Sequence, residues 1–542
     1  MKVVTAEEMK ALDEKAVSEC KIPSLFLMEN AARGLADKIE EKISRVAGLP
    51  IIIFCGKGRN GGDGLAAARH FRMRGAIVTV AFFSPIGQSQ ASSRLSGDTQ
   101  TMLTAWMSTG GTVYFFDATT VETLEKKLSE SRIIVDALLG TGLSHSVGGD
   151  FEKAIFLINK TRRTQGITVV AVDIPSGISA DTGERMGASV EADYTFTMGL
   201  PKRGLFLREG LQCRGSWDIV DIGFPKALVA QANIKVELMG PADLKGFPHA
   251  RLLGAHKGTF GHLLIIAGSK GKKGAAVMAS LSALRAGCGL VTTALPKSID
   301  SISKDGMEVM TLPLSETEEG TLSLTAEKEL INALAKKDAV AMGPGLSQHP
   351  ETVRLILNLI TQIEIPMIID ADAINALATD LSVLNHRKGP VILTPHAGEM
   401  GRLLGVSSET VQKDRIGTAS SFAQKWGVIV VLKGAHTLIV APDGSVAMAN
   451  TGNPGMATAG TGDVLTGIIG GFLAAGIDPL SSAIRGVILH GLAGDIACRA
   501  FGEISLIASD IIHKIPDAIL SLSAGGVPSA DGVPPQKIRS FS

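Results

Sequence analysis

Short apolar runs alternate with helical ones along almost the whole chain, and that alternation leaves few folds open. Strands are expected at Ile51–Cys55, Ile77–Phe83, Ile133–Leu138, Thr168–Val172 and Tyr194–Thr197, with helical runs such as Gly64–Arg74 between them. A second series begins at His262–Ala267 and continues through Ala339–Met342, Met367–Asp370, Val391–Thr394 and Val428–Leu432. Helices are expected at Ala275–Ala286, Glu351–Thr361, Ser408–Trp426, Val464–Ala475 and Leu480–Ala500. Uniformly apolar strands alternating with helices imply right-handed βαβ units around buried parallel sheets. Upstream, Thr5 and Glu8 have the spacing of a capping box. After Ser24, the residues Leu25, Met28, Ala32, Leu35, Ile39 and Ile43 fall at helical spacing.

A chain of 542 residues exceeds what one hydrophobic core serves, so two large domains are expected. The alternation stops around Gly223–Pro241, between Pro225 and Pro241. The expected boundaries are 1–225 and 236–520, followed by a Ser/Gly/Pro-rich tail, 521–542, expected to be disordered. Zero net charge argues against a nucleic-acid partner, and 4% aromatics argues against stacking platforms. Five scattered cysteines with no CxxC pair read as reduced and cytoplasmic. The charged start MKVVTAEEMKALDEKA has no signal-peptide core, and the apolar run Val464–Ile477 is too short to span a bilayer. Apolar positions such as Leu281, Leu284 and Leu290, on helical faces, serve as core or interface, and a homo-oligomer is expected.

In the first half, Ile51–Cys55 runs into Gly56-Lys57-Gly58-Arg59-Asn60-Gly61-Gly62-Asp63-Gly64. Gly56, Gly58 and Gly61 match G-x-G-x-x-G, which lets a diphosphate approach the backbone. A dinucleotide-binding dehydrogenase needs an acidic residue after the next strand, whereas this chain has Phe82-Phe83-Ser84-Pro85. Asn60 and Asp63 instead put polar side chains in the loop, where a ligand or ion is expected. Asp136 precedes Gly140-Thr141-Gly142, and Asp173-Ile174-Pro175-Ser176-Gly177 closes another strand. Open α/β sheets bind ligands at these strand ends. Asp173 is the acid–base candidate of this half, with capping of the following turn as the competing role.

The second half holds Gly268-Ser269-Lys270-Gly271 with Gly274, Ala275 and Ala276, then Gly343-Pro344-Gly345 and Asp370-Ala371-Asp372-Ala373-Ile374-Asn375. Thr394-Pro395-His396-Ala397-Gly398-Glu399, Leu432-Lys433-Gly434-Ala435-His436-Thr437 and Asn453–Gly467 follow. The last stretch, NPGMATAGTGDVLTG, sets Asp463 in a Gly-rich turn that opens a helix, where backbone N–H groups and the dipole favour an anion. Asp463 is the candidate base beside that cradle, or simply a first-turn dipole partner. Lys433 is expected to neutralise a phosphate, Asp370 and Glu399 to hold a hydrated Mg²⁺, and His396 to donate to a substrate phosphate or amide.

The strings LMENA at 27–31, CGKGRNGGDG, VDALLGTGLS and AVDIPSG resemble the epimerase domain of NAD(P)H-hydrate repair enzymes, across roughly residues 1–220. The resemblance implies that this domain interconverts the R and S hydrates of NADH and NADPH. It implies substrate contacts at Asn60, Gly61, Gly62, Asp63 and Gly64, at Gly140, Thr141, Gly142, Leu143, Ser144, His145 and Ser146, and at catalytic Asp173. It also implies K⁺ at Asn60, Asp136 and Ser176. Arg59 departs from the family, which more often has Asn there. HKGTFGHLLIIAGS, GPGL, IDADAINAL, TPHAGE, LKGAHT and NPGMATAGTGDVL resemble the ADP-dependent NAD(P)H-hydrate dehydratase, across roughly Arg251–Ala518. That implies Ala275 or Ala276, Gly345, His396 and catalytic Asp463 facing the hydrate. It implies Lys433, Gly434, Ala435, His436, Thr437, Asn453, Met456, Thr458, Gly460, Thr461 and Gly462 facing ADP, with Mg²⁺. The fold class expected is α/β in two domains, a Rossmann-like three-layer sandwich followed by a ribokinase-like domain. A vitamin-alcohol kinase of the ribokinase-like class, and a metabolite-binding protein with one inactive half, remain the alternatives.

Overall fold

The computed structural model describes residues 1–83, 95, 97–116, 120–244, 247, 251, 253–300 and 306–523. Ser84 and Pro85, at the position of a dehydrogenase's ribose carboxylate, and residues 524–542 of the expected tail lie outside the described residues. Residues 521–523 complete the helix Ala508–Ser523. The chain divides into two compact units, Lys2–Ile234 and Lys235 onward together with Met1.

The first unit is built on seven parallel strands: β1 (Pro50–Cys55), β2 (Ile77–Phe82), β3 (Val113–Phe115), β4 (Ile133–Ala137), β5 (Thr168–Val172), β6 (Tyr194–Met198) and β7 (Ser216–Val220). Their order is β3-β2-β1-β4-β5-β6-β7. The order reverses between β1 and β4, which opens a crevice at the carboxyl ends of those two strands. Alternate residues of β1 serve two cores. Ile51, Ile53 and Cys55 pack with helices Ala6–Ser18, Ser24–Lys42 and Arg59–Met73. Ile52 and Phe54 pack with Val121–Glu130 and Gly149–Gln165 on the opposite face. Period-two burial on both faces gives the three layers. Thr5 and Glu8 form the capping box of the first helix.

Asn60–Asp63 do not form a loop, as the sequence suggested, because the helix begins at Arg59 rather than Gly64. Extended Gly58 is its N-cap residue. A Cβ on Gly61 would lie 1.7 Å from the Gly56 carbonyl oxygen, so the glycine spacing serves close packing of helix start against strand end.

The second unit carries ten strands: β8 (Val236–Met239), β9 (His262–Ile266), β10 (Leu290–Pro296), β11 (Met310–Leu314), β12 (Ala339–Met342), β13 (Met367–Ile369), β14 (Val391–Leu393), β15 (Ile429–Leu432), β16 (Leu438–Val440) and β17 (Val446–Ala449). Their order is β11-β10-β9-β12-β13-β14-β15-β16-β17-β8. The sheet is parallel except around β16, which is antiparallel to both neighbours. Sequence patterning missed this hairpin, since its strands are three and four residues long. The interruption at Gly223–Pro241 contains β8, which pairs with β17 at the sheet edge. Leu290 opens β10 and is not on a helical face. The expected helix Ser408–Trp426 is two helices, Ser408–Lys413 and Arg415–Trp426. Asp414 leaves helical geometry between them, and its carboxylate accepts from Gly417 N at 2.8 Å to cap the second.

Helix Thr461–Ala474 lies flush on helix Lys273–Arg285. A Cβ on Gly467 would be 2.0 Å from the Ala279 carbonyl oxygen. Among the described residues no helix is long and apolar enough to cross a membrane. Gly61→Ala is expected to destabilise the first unit by about 3 kcal/mol through overpacking against backbone. Urea unfolding followed by circular dichroism should show an earlier transition for that unit and an unchanged one for the second.

Candidate active sites

In the first unit, the ends of β4 and β5 and the start of helix Arg59–Met73 surround a buried carboxylate. Asp136 is 0% exposed. It accepts from Ser176 N at 2.8 Å, Ser176 Oγ at 2.6 Å and Leu138 N at 3.2 Å. No cation among the described residues pairs with it, and burial pushes its carboxyl up to about 6. Asn60 Nδ2 donates to Leu139 O at 3.1 Å, while its buried Oδ1 has no partner. The Cβ position of Gly140 lies 3.1 Å from Asn60 Cβ, so this turn is held against Asn60. Gly142, Ser144, His145 and Ser146 beyond it are exposed. Asn60, Asp136 and Ser176 therefore gather around one small polar space, with one orphaned oxygen and an uncompensated carboxylate.

Asp173 sits at the end of β5 with φ 69°, unusual for a non-glycine residue. It does not cap the turn that follows. Its Oδ1 accepts from Met198 N at 2.9 Å, Thr197 Oγ1 at 3.2 Å and Lys202 Nζ. Lys202 is 0% exposed and also donates to Met198 O at 2.8 Å. Sequence reasoning missed Lys202, although its place just past β6 was a signal. It also missed Asp13, whose half-buried carboxyl lies 3.5 Å from Arg59 Nη1. Burial, with Asp173 next, pushes Asp63 well above the usual carboxylate range.

The second unit gathers its strand-end loops around Asp370, which is 1% exposed. Oδ1 accepts from Lys433 Nζ at 2.8 Å and Thr394 Oγ1 at 2.7 Å, and Oδ2 accepts from Thr466 Oγ1 at 2.7 Å. Both oxygens accept hydrogen bonds, and Asp370 anchors Lys433. Glu399 Oε2 lies 3.6 Å from Lys433 Nζ and accepts from His396 N at 2.8 Å. His396 is the N-cap residue of helix Ala397–Leu404, its Nδ1 accepting from Gly398 N and Glu399 N while its Nε2 lies 3.4 Å from Glu399 Oε1. Burial works against the Lys433 ammonium, but Asp370, Glu399 and Asp463 together hold its pKa above the ordinary lysine value.

Asp463 occupies the first turn of helix Thr461–Ala474, whose N-cap residue is Gly460 at φ 90°. Burial, with the Asp370 anion next, pushes its carboxyl up to about 7. A Cβ on Gly462 would lie 3.4 Å from Lys433 Nζ, so the lysine closes one side of the anion cradle. A cleft of about 440 Å³ opens above, bounded by Lys272, Ala275, Gly345, Asp372, Gly460 and Asp463 among others. Ala275 faces it; Ala276 is buried behind.

The remaining motif residues hold the rim. His436, at φ 48°, keeps Nδ1 2.8 Å from Ala449 O, and Thr437 Oγ1 donates to Gly434 O at 3.0 Å. Arg415, missed in sequence, is buried behind Gly434 and donates to Ala435 O at 2.6 Å. Asn453 Nδ2 and Gly452 N donate to Asp495 at 2.9 and 3.0 Å. Thr461 Oγ1 bridges the Met456 and Thr458 carbonyls, both at 3.1 Å. Asp495 and His490, both on helix Pro479–Phe501, were also missed, because helical spacing made that segment read only as core. Burial lowers His490 to about 4.

A cradle of helix-start amides, closed by a lysine and flanked by a carboxylate, suits an anionic ligand such as a nucleotide phosphate, and the second unit has the α/β fold of an enzyme with its site at the strand ends. Residues 263–517 match the NAD(P)H-hydrate dehydratase family model, and residues 24–204 match that of the YjeF-related protein N-terminus. The bifunctional NAD(P)H-hydrate repair enzyme of Moorella thermoacetica is 42% identical, covering 96% of this chain and 97% of its own length. That of Escherichia coli is 33% identical, covering 86% and 84%. A solved ADP/ATP-dependent NAD(P)H-hydrate dehydratase from Bacillus subtilis, co-crystallised with ATP/Mg²⁺, is 30% identical and covers 53% of this chain and 99% of its own, with a TM-score of 0.47. This chain belongs to the bifunctional NAD(P)H-hydrate repair enzyme family, with an epimerase unit and a dehydratase unit.

Removing Lys433 would leave Asp370 buried without its cation. Lys433→Met is expected to cost about 3–5 kcal/mol of stability in the second unit. Denaturant midpoints of the two units, measured separately, check this.

Proposed function

We propose that the second unit uses ADP to dehydrate the S hydrate of NADH or NADPH, with Asp463 as base, and that the first unit supplies that epimer through Asp173. The observation that carries the reading is Asp463 itself, a carboxylate at a helix N-terminus with its pKa near neutrality, beside Lys433 and the Gly460–Gly462 amides. Asp463 takes the proton of the C6 hydroxyl as that oxygen attacks the β-phosphorus of ADP, and AMP leaves. The Gly462 amide and Lys433 stabilise the charge on the transferring group. The ring-nitrogen lone pair then expels phosphate from C6. Transfer of the C5 proton to the departing phosphate restores the dihydronicotinamide, so the products are AMP, phosphate and NAD(P)H. Lys433, Gly434, Ala435, His436, Thr437 and the Asn453–Gly462 turn are assigned to the nucleotide.

Mg²⁺ suits this site as a companion of the nucleotide phosphates. Among the described residues no group of three His, Cys, Asp or Glu side chains is placed to cage a metal, and Glu399 is the carboxylate left nearest Lys433. Bound there, Mg²⁺ would supply neutralisation of phosphate charge. In the first unit, the orphaned Asn60 Oδ1, the unpaired Asp136 carboxylate and the Ser176 hydroxyl fit a hard monovalent cation. We assign K⁺ to these residues; bound there it would supply a positive charge that fixes the Gly140 turn.

Recovery of reduced-nicotinamide absorbance from a mixed-epimer hydrate tests both halves. With ADP, the whole sample should recover, and with neither ADP nor ATP, none. Asp463→Asn should lower the recovery rate about 100-fold or more. The wild-type dehydratase rate should rise with pH through about 7, because Asp463 accepts a proton only as the anion. Near-normal turnover in folded Asp463→Asn would overturn the assignment. Asp173→Asn should stop recovery at the S fraction while leaving dehydration of that fraction intact. Replacing K⁺ with a large organic cation should do the same.

A further inference from the structure

Beside Asp136, Asp13, Asp63 and Asp173 share the first unit's site with Arg59 and Lys202. Lys202 is committed to Asp173 through a direct hydrogen bond. Arg59 lies 3.5 Å from Asp13. Among the described residues no cation pairs with Asp63, which is half-buried one turn into helix Arg59–Met73 and feels the charges of Asp173 and Asp13. Two anions are balanced by two cations; the third carboxyl has no such balance and is most stable holding its proton. Burial and the neighbouring Asp173 anion push Asp63 well above its ordinary range, in line with this count.

We infer that Asp63 is the catalytic acid that works with Asp173 as base in the epimerisation, an inference that rests on the epimerase reading of this unit. C6 of the hydrate is a hemiaminal carbon, bonded to a hydroxyl and to ring nitrogen N1. A carboxylate is far too weak a base to remove the C6 hydrogen, so inversion proceeds by breaking a bond to a heteroatom. Asp173 takes the hydroxyl proton, and the oxygen electron pair forms C6=O. The C6–N1 bond breaks, and its electron pair on N1 takes the proton of Asp63. The intermediate is an open-chain aldehyde with an enamine N–H. Rotation about C5–C6 offers the other carbonyl face. N1 attacks that face and returns its proton to Asp63, while the oxygen recovers a proton from Asp173. Both carboxyls end as they began, and no oxidant or further reactant enters. One neutral and one anionic carboxyl is the pairing that such a two-proton cycle needs.

The test uses full-length Asp63→Asn. Interconversion of purified R and S hydrates is followed chromatographically without ADP, and ADP-dependent dehydration of the S hydrate is measured on the same preparation. The expected result is a fall in epimerisation kcat of about 100-fold or more, with KM within about threefold and dehydration unchanged. Asp63→Glu, which keeps the acid, should recover part of the rate. Epimerisation at the wild-type rate in Asp63→Asn overturns the inference. Should the variant fail to fold, wild type decides. Its kcat/KM should fall on the alkaline side as Asp63 loses its proton, in the field of Asp13, Asp173, Lys202 and Arg59, the charged groups around it. A profile flat from neutral pH to the lysine range overturns the assignment. In ¹⁸O water the inverted hydrate should keep its original oxygen; one solvent oxygen per inversion overturns the ring-opening step. A wild type with no epimerisation at all would instead remove the epimerase reading, a failure distinct from an active wild type with an active Asp63→Asn.

Discussion

A carboxylate carried to the end of a parallel strand, where it leaves water but not polarity, must be paired, protonated or matched by an ion. Asp370 is paired, with Lys433, Thr394 and Thr466 taking up both of its oxygens. That pairing fixes Lys433 against Gly462, beside Asp463, whose carboxyl is raised by burial first and by the Asp370 charge second, with Lys433 acting against both. The Asp370–Lys433 ion pair thus fixes one side of the cradle at the start of helix Thr461–Ala474. Its anchors come from the ends of β13, β14 and β15 and from helix Thr461–Ala474, so the sheet edge itself sets the geometry.

The first unit solves the same problem three ways in one crevice. Among the described residues, Asp173 is paired to fully buried Lys202, Asp136 is held by hydroxyl and amide donors, and Asp63 makes no ion pair. Each solution gives a different chemical state. A neighbouring cation favours the charged form of a carboxyl, whereas burial and neighbouring anions favour the neutral one. Strained backbone accompanies these positions. Asp173, Ala371 and His436 all hold positive φ at strand ends or in their loops, where the surrounding hydrogen bonds can enforce it.

Much of this was legible in the residues. The period of the apolar runs placed the central strands of both sheets, and the Gly-rich stretches lay at their carboxyl ends. The short elements were not legible. Leu438–Val440 and Val446–Ala449 carry too few residues to show a period, and Val236–Met239 becomes a strand only because β17 offers it an edge. Arg59–Asp63 looked like a loop because glycine is counted against helix, yet here Gly61 is needed for contact with the Gly56 carbonyl. Among site residues, Lys202, Asp13, Asp495 and Arg415 carried no motif, since their roles rest on contacts far along the chain.

The sequence by itself determined the class of fold, the two-unit organisation and the motifs that bear Asp173 and Asp463. Those follow from local hydrophobic period and from glycine and carboxylate spacing, which are properties of neighbours in the chain. Only the tertiary structure decided which carboxylates lie beside a cation and which do not. Proton affinity is set by burial and by charges brought close in space: Lys433 lies 63 residues beyond Asp370 and Lys202 lies 29 beyond Asp173, and no local pattern encodes those distances.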